Sequence, residues 1–228
     1  MYVESVQNYA SSTIDELYTL INKYINSGDI TVFTRVEKYT GDSSTDDSLK
    51  FYNGNKLIAD FRNLAAGYNL VPTLYGSQSD TWSGSSSSST AQAKYIYRMI
   101  VCKHGVMFKT SSSGGSTSQK GCIFFTETKS GETGVYIRYG TTSGSSNSIW
   151  TGYYIAWGDQ PTFSSVALEG VAHPSFSALC AIPTQSADGN HSVNTYFMPF
   201  SQFKSYDGLI EINDEKYYTD GCIAIKDE

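Results

Sequence analysis

The stretch Lys94-Tyr-Ile-Tyr-Arg-Met-Ile-Val-Cys-Lys-His-Gly-Val-Met-Phe108 indicates the fold class of this chain. It places two runs of aromatic, β-branched and apolar residues on either side of Lys103-His-Gly105. Residues of these types fit a pleated, half-buried strand, and a short polar stretch with glycine supplies a turn. We therefore predict an antiparallel hairpin over this stretch.

Similar short runs recur along the rest of the chain. Apolar and aromatic residues are concentrated at 122–127, 135–139, 149–157, 209–212, 217–218 and 222–225. Short strands at intervals of about ten residues are typical of sandwiches and barrels. We expect a mainly β fold, a β-sandwich or partly closed barrel of antiparallel hairpins, with one amphipathic helix near the N-terminus.

That helix is predicted at about 13–27. The residues that recur at three-and-four spacing, and so share one helical face, are Ile14, Leu17, Tyr18, Ile21, Tyr24 and Ile25. Thr13 followed by Glu16 fits a capping box, and Gly28 fits a C-terminal cap. Tyr18 and Tyr24 widen the apolar stripe. The helix therefore packs either inside its own domain or on a neighbouring subunit, and both alternatives stay open.

Two further elements are predicted after the helix. Residues 30–39 are rich in β formers and should be a strand, which a polar loop at 41–47 ends. Asn53-Gly54 fits a hairpin turn. Helical spacing, however, is found among Leu57, Ile58, Phe61, Leu64 and Ala65, with Gly67 as a candidate cap. On that spacing we favour a helix there.

Three Ser- and Gly-rich segments, at about 76–90, 110–118 and 140–148, are predicted to be flexible surface loops. They hold too few apolar groups for burial to offset the entropy of ordering a backbone. Trp82 is the apolar exception and a candidate anchor for the first loop. The total of 228 residues lies within the range of single all-β domains, so we expect residues 1–228 to form one domain.

Charge and hydropathy exclude several classes of partner. The net charge is −6 and the basic residues are scattered, which argues against nucleic-acid binding. No apolar run approaches the roughly 20 residues of a membrane span. The start of the chain lacks the basic and apolar regions of a signal peptide, so we expect either synthesis in a cytoplasm or a signal that has been removed.

The histidines and acidic residues of the sequence fall in no recognised catalytic or metal-binding motif. The histidines, none of them in a hydrolase, zincin or deaminase motif, are His104, His173 and His191. The acidic loop with Asp42, Asp46 and Asp47 does not match a calcium-binding pattern. We therefore expect no enzymatic activity, no cofactor and no metal.

The cysteines Cys102, Cys122, Cys180 and Cys222 are far apart and form no CxxC pair, which argues against zinc and redox sites. Three of them lie within apolar stretches. Because free cysteine is among the most buried residue types, we expect reduced, largely buried thiols. A disulfide is the alternative.

Aromatic residues are the candidate contact residues. Exposed Trp and Tyr side chains can stack on sugar rings or anchor protein partners. The residues considered for such contacts, to a partner or a glycan, are Tyr18, Tyr24, Trp82, Trp150, Tyr153, Tyr154 and Trp157. The alternative for those in 149–157 is a place in the core and in ordinary cross-strand pairs.

The C-terminal residues, from Tyr196-Phe-Met-Pro-Phe200 to Cys222-Ile-Ala-Ile-Lys-Asp-Glu228, together with the Ser/Gly/Thr-rich aromatic strands, resemble tail, neck or baseplate proteins of bacteriophages. The resemblance implies a non-enzymatic virion structural protein. Such a protein would be made in the bacterial cytoplasm and would act in a symmetric multimer with copies of itself and other virion proteins. The alternative function is a carbohydrate-binding or host-attachment module that uses exposed Trp and Tyr residues.

Overall fold

A computed structural model of the chain describes residues 1–6, 13–40, 47–63, 70–74, 95–111, 120–127, 131, 133–139, 153–155, 166–167, 180–181, 193–197, 207–212, 214–219 and 223–228. Within these residues the fold is mainly β, with antiparallel sheets and one helix, which confirms the predicted fold class. No sheet closes into a barrel among the described strands. A single domain over the whole length stays a prediction.

The chain forms sixteen short strands and one helix in its described part. In chain order the elements are β1 (Tyr2–Ser5), α1 (Thr13–Asn26), β2 (Arg35–Tyr39), β3 (Ser48–Asn53), β4 (Lys56–Asn63), β5 (Leu70–Leu74), β6 (Tyr95–Cys102), β7 (Gly105–Ser111), β8 (Lys120–Glu127), β9 (Thr133–Tyr139), β10 (Tyr153–Ile155), β11 (Val166–Ala167), β12 (Cys180–Ala181), β13 (Thr195–Phe197), β14 (Gly208–Ile212), β15 (Glu215–Thr219) and β16 (Ile223–Lys226).

These strands form three antiparallel sheets. The central sheet has the order β1-β6-β7-β8-β9-β10, so that β6 to β10 are a meander. The N-terminal sheet has the order β2-β3-β4-β5, and the C-terminal sheet has the order β11-β12-β13-β16-β15-β14. The hairpin predicted at Lys103-His104 is confirmed, because Cys102 pairs with Gly105 directly across it.

The main core lies between the N-terminal sheet and one face of the central sheet. Phe51 of β3 and Phe61 of β4 pack against Phe108 of β7 and Phe125 of β8. The ring centroids of Phe51 and Phe125 are 4.9 Å apart, and those of Phe61 and Phe108 are 5.7 Å apart. Tilted and edge-to-face rings at these separations are favourable beyond their buried area. The two sheets therefore form a sandwich.

The other face of the central sheet is buried as well. Ile100, Met107 and Phe124 alternate along their strands with residues of the main core and so point to the opposite face, where they are fully buried. The C-terminal sheet covers this face, since a Cβ built on Gly105 would lie 3.0 Å from Cγ2 of Ile225 in β16. Strands buried on both faces need apolar residues at consecutive positions. This is why β6, β7 and β8 contain nearly continuous apolar runs.

The helix α1 closes one side of the sandwich. Its buried residues, Ile14, Leu17, Ile21 and Tyr24, belong to the main core. Gly28 has φ of +79°, its N–H donates to Ile25 O, and the N–H of Asp29 donates to Tyr24 O at 3.0 Å. This is a Schellman motif, and it confirms Gly28 as the cap. The apolar face of the helix therefore packs inside its own chain.

The helix expected around Leu57–Ala65 is wrong for the residues described. Residues 56–63 are strand β4, which pairs with β3 on one side and β5 on the other. The residues Ile58, Ala59, Asp60 and Phe61 are all buried, so consecutive burial produced a spacing that resembles a helical stripe. Asn53-Gly54 is the hairpin turn, with Gly54 at φ of +60°.

The strand predicted at 30–39 begins only at Arg35. Ile30, Val32 and Phe33 are buried without belonging to a strand, and the Phe33 ring lies 5.0 Å from that of Phe125. After the helix cap the chain enters the core at these residues. They are apolar because they are buried, although they are not part of a strand.

The predicted loop at 110–118 starts later, because Thr110 and Ser111 still belong to β7. Residues 112–118 and the loops at 76–90 and 140–148 lie outside the described residues.

Candidate functional site

The two helical tyrosines proposed as contacts have different environments. Tyr24 is 3% exposed and its ring lies 4.9 Å from that of Tyr2, so its surface is used within the chain. Tyr18 is 36% exposed and remains available to a partner. Of the other candidates, Tyr153 and Tyr154 lie in β10, where the structure describes the backbone. Trp82, Trp150 and Trp157 lie outside the described residues.

A small polar network joins α1 to β1. Lys23 Nζ donates to Glu4 Oε1 at 2.9 Å, and the Tyr24 hydroxyl donates to the same oxygen. The hydrogen bonds from Tyr24 and then Lys23 hold the pKa of Glu4 below its usual value. The carboxylate of Glu4 is therefore compensated inside the chain.

A second network, at Asp207, joins the central sheet to the C-terminal sheet. Asp207 Oδ2 accepts from Lys109 Nζ at 2.5 Å and from Arg98 Nη1 at 3.2 Å. The Tyr218 hydroxyl donates to Oδ1, and burial followed by this bond raises the pKa of the Tyr218 phenol. The Lys109 side chain is 6% exposed. Asp207 therefore links the two sheets through three hydrogen bonds.

A third network surrounds His104. Thr126 Oγ1 lies 2.5 Å from Thr195 Oγ1, and the Val193 N–H donates to Glu127 O at 2.9 Å. Asn194, whose φ is +59°, places its amide nitrogen 3.4 Å from Nδ1 of His104. Because the amide nitrogen can only donate, Nδ1 is the acceptor. This network also ties β8 to the C-terminal sheet.

The environment of His104 favours its neutral form. Burial, and then the charge of Lys103, lower the pKa of His104 below its usual value of 6.5. The turn predicted at this residue is confirmed. His173 and His191 lie outside the described residues.

The described cysteine side chains are buried. Cys102 and Cys122 are buried, which confirms that part of the expectation. Burial is the main cause that raises the pKa of the Cys102 thiol far above its usual range. A buried protonated thiol is a poor nucleophile. Cys180 is described by its backbone in β12, and Cys222 lies outside the described residues.

Metal-binding and membrane-spanning features are absent from the described residues. No group of three or more His, Cys, Asp or Glu residues is arranged to hold a metal ion in the described part of the chain. The described helix is too short or too polar to cross a membrane.

Large apolar side chains are exposed at the edges of sheets, which sequence reasoning missed. Tyr2 and Val3 of β1 are 45% and 47% exposed, Tyr39 of β2 is 56% exposed, and Leu209 of β14 is 47% exposed. Each of these strands is at the end of its sheet order. Strand order follows from long-range pairing, so no local pattern in the sequence identifies an edge.

The outer face of β2 and β3 presents Tyr39 among charged groups, and we call Arg35, Glu37, Tyr39, Lys50 and Tyr52 the β2–β3 surface. Lys50 Nζ lies 5.6 Å from the Tyr39 ring centroid, and the Arg35 guanidinium lies 4.3 Å from that of Tyr52. Arg35 Nε is 3.2 Å from Glu37 Oε1. Burial, and then a hydrogen bond with Glu37, raise the pKa of Tyr52.

The described polar networks thus connect the helix and the sheets, while four of the exposed large apolar side chains, Tyr2, Val3, Tyr39 and Leu209, lie on edge strands. These edge strands are therefore candidate contact surfaces, as is Tyr18 on the helix. Neither a family model, nor a curated protein, nor a solved structure matches this chain.

Proposed function

We propose that this protein is a non-enzymatic structural component of a bacteriophage virion, in its tail, neck or baseplate. It acts through contacts with copies of itself and with other virion proteins. The observation that supports the proposal is strand β1, an edge strand of the central sheet on which Tyr2 and Val3 are exposed.

Edge strands of proteins that stay monomeric are generally protected. Charged residues, prolines, bulges or covering segments prevent another chain from adding to the sheet. In β1, Glu4 is the one charged residue, and its carboxylate is engaged by Lys23 and Tyr24. An edge of this kind suits a protein whose surface is covered by partners after assembly.

The polar networks support a structural role as well. Asp207, with Lys109 and Arg98, and the Thr126–Thr195 pair each hold the C-terminal sheet on the central sheet. Groups with these fixed partners confer rigidity, which a subunit of a symmetric particle needs.

The test is to locate the protein in particles. The gene is inactivated in the genome that carries it, and particles are purified with and without complementation in trans. We expect mass spectrometry to find the protein in complemented particles at a fixed copy number, and we expect incomplete particles without it. Complete, infectious particles that lack the protein would contradict the proposal.

A second candidate function, glycan binding, is favoured by the β2–β3 surface. Tyr39 is the most exposed of the large hydrophobic side chains described, and Lys50 and Glu37 beside it supply hydrogen-bonding groups. Sugar rings stack on exposed aromatic faces in this kind of setting. Titration with bacterial surface polysaccharides tests this candidate. Binding should be lost in Tyr39→Ala and kept in Tyr2→Ala, which removes an exposed tyrosine from a different sheet.

A further inference from the structure

We propose that β1 is a self-association surface: β1 of a second copy adds antiparallel to its outer edge, centred on Val3, and joins two central sheets into one. This deepens the proposed function, since it names the partner and the surface for one contact in the multimer. The occupant is a second copy of this chain.

In β1 the backbone N–H and C=O groups of two residues point to the outer edge of the sheet. The Val6 N–H donates to Tyr97 O at 3.0 Å, and the register pairs Tyr2 with Val101, Val3 with Ile100 and Glu4 with Met99. In an antiparallel ladder the hydrogen-bonded pairs alternate along the strand. Counting back from Val6, Glu4 and Tyr2 bond towards β6. The N–H and C=O groups of Val3 and Ser5 therefore point to the outer edge.

The side chains of β1 divide in the same alternating way. Tyr2 and Glu4 lie on the side of α1, where Tyr2 packs on Tyr24 and Glu4 accepts from Lys23. Val3 is on the opposite face and 47% exposed. The strand therefore offers an outward backbone ladder, an exposed valine and a carboxylate whose charge is already compensated.

Antiparallel pairing centred on Val3 is self-complementary. Val3 lies opposite the second copy's Val3 as a hydrogen-bonded pair, and Tyr2 lies opposite the second copy's Glu4, so that no like charges meet. Like charges directly opposite one another destabilise a pair of strands, and this register avoids them. A two-fold axis through Val3 gives a closed dimer, the commonest symmetry of oligomers.

The edge strand β2 is more strongly charged than β1. Three of its five residues, Arg35, Glu37 and Lys38, are charged. Self-pairing centred on Glu37 would oppose two carboxylates, although self-pairing centred on Val36 would place Arg35 opposite the second copy's Glu37. Charges of this kind are how edge strands are blocked. Because β1 has a single charged residue, and Lys23 already compensates it, we assign the self-association to β1.

Charge substitution at Val3 tests the pairing in the full chain. Wild-type protein should sediment as a dimer in analytical ultracentrifugation. Val3→Lys and Val3→Glu should each be monomeric, because each places like charges opposite one another. An equimolar mixture of the two variants should restore a dimer that contains one copy of each. Circular dichroism checks that both variants fold. We expect them to fold because Val3 is exposed.

The matched control is Asn55→Lys, in the turn between β3 and β4. Asn53 in this turn donates to Thr133 Oγ1 at 2.8 Å, so the turn lies beside β9, separated from β1 by β6, β7 and β8. Asn55→Lys should remain dimeric. A monomeric wild type, or a dimer that persists in Val3→Lys and Val3→Glu, would overturn the inference.

Cross-linking tests the register. Directly opposite Cα atoms in a hydrogen-bonded antiparallel pair are about 5.5 Å apart, and their Cβ atoms are farther apart than in a typical disulfide, so a short thiol-to-thiol cross-linking reagent is used. Val3→Cys treated with this reagent should give a covalent dimer on a denaturing gel, and Asn55→Cys should not. A dimer of Val3→Cys without the cross-link would refute the centring on Val3.

These experiments separate the two proposals. Dimers that form through β1 in a protein absent from particles would refute the virion role alone. A particle protein that is monomeric when purified would refute the β1 pairing alone.

Discussion

Lys109 Nζ lies 2.5 Å from Asp207 Oδ2, and this ion pair joins the central sheet to the C-terminal sheet across a buried face. The Lys109 side chain is nearly inaccessible to water, while Asp207 is about one third exposed. A lysine in this position depends on its partner, because an unpaired buried charge is costly. The pair therefore holds the central sheet and the C-terminal sheet together, a contact that no local sequence pattern predicts.

Asp207→Asn should destabilise the protein, because it leaves the Lys109 ammonium uncompensated. Removal of one partner of a fully buried pair costs about 3–5 kcal/mol, and the partial exposure of Asp207 lowers our expectation to about 2–3 kcal/mol. Urea unfolding measures the change. The control is Asp15→Asn, which breaks the exposed Asp15–Lys38 pair and should cost about 0.5 kcal/mol or less. Adding Lys109→Met to Asp207→Asn should recover stability, and a further loss would contradict the explanation.

Gly105→Ala should be destabilising because there is no room for its Cβ. The added atom would lie 2.7 Å from the backbone oxygen of Phe125 and 3.0 Å from Ile225 Cγ2. Overpacking of this kind typically costs about 1–3 kcal/mol. In the control Gly208→Ala the Cβ meets nothing within 4 Å, so thermal unfolding should change little. Equal melting temperatures for the two variants would show that the C-terminal sheet does not pack closely on Gly105.

Tyr24→Ser should destabilise the fold far more than Tyr18→Ser. Tyr24 is in the core and donates to Glu4, whereas Tyr18 is partly exposed. Truncation of a buried aromatic residue costs about 3–5 kcal/mol, and truncation of a surface residue is typically within about 0.5 kcal/mol. Chemical unfolding of both variants provides the comparison. Similar losses would mean that the helix does not present the face seen in the structure.

His104 should titrate below 6.5, the usual value for histidine, because burial and Lys103 disfavour its charged form. Between its folded pKa and 6.5 the unfolded state binds more protons than the folded state. Stability due to this group is therefore lost as pH falls below 6.5, until the folded pKa is passed. NMR titration of the imidazole gives the pKa, with His104→Asn to assign the signal. That variant should lose less stability than wild type on acidification, and a pKa above 6.5 would reverse the sign.

Cys102 and Cys122 should resist alkylation in the folded protein and react after unfolding, because both thiols are buried and the pKa of Cys102 is raised by burial. Peptide mapping by mass spectrometry after iodoacetamide treatment, with and without urea, tests this. Rapid labelling of Cys122 in native protein would show that the C-terminal sheet leaves this face of β8 open.

Local patterns were sufficient for several elements. The three-and-four spacing of Ile14, Leu17 and Ile21 identified α1, and Gly28 marked its end, because a helix needs one apolar face and a left-handed cap. The turn at Lys103-His104 identified the first hairpin of the meander. Local patterns failed for β4, where Ile58 to Phe61 are buried on both faces and so lose the alternation that distinguishes a half-buried strand.

The sequence by itself determined the mainly β class, the helix with its cap and the hairpins of the central meander, because each depends on residues close together in the chain. The tertiary structure alone decided that the central sheet is covered on both faces, that Asp207 meets Lys109 and Arg98, and that β1 is an edge. These features come from contacts between segments about a hundred positions or more apart in the chain, such as Lys109 with Asp207 at a separation of 98 and Arg98 with Asp207 at 109. Strand order and the contacts between layers depend on which distant segments bury the most apolar surface against each other. A local sequence pattern does not contain this information.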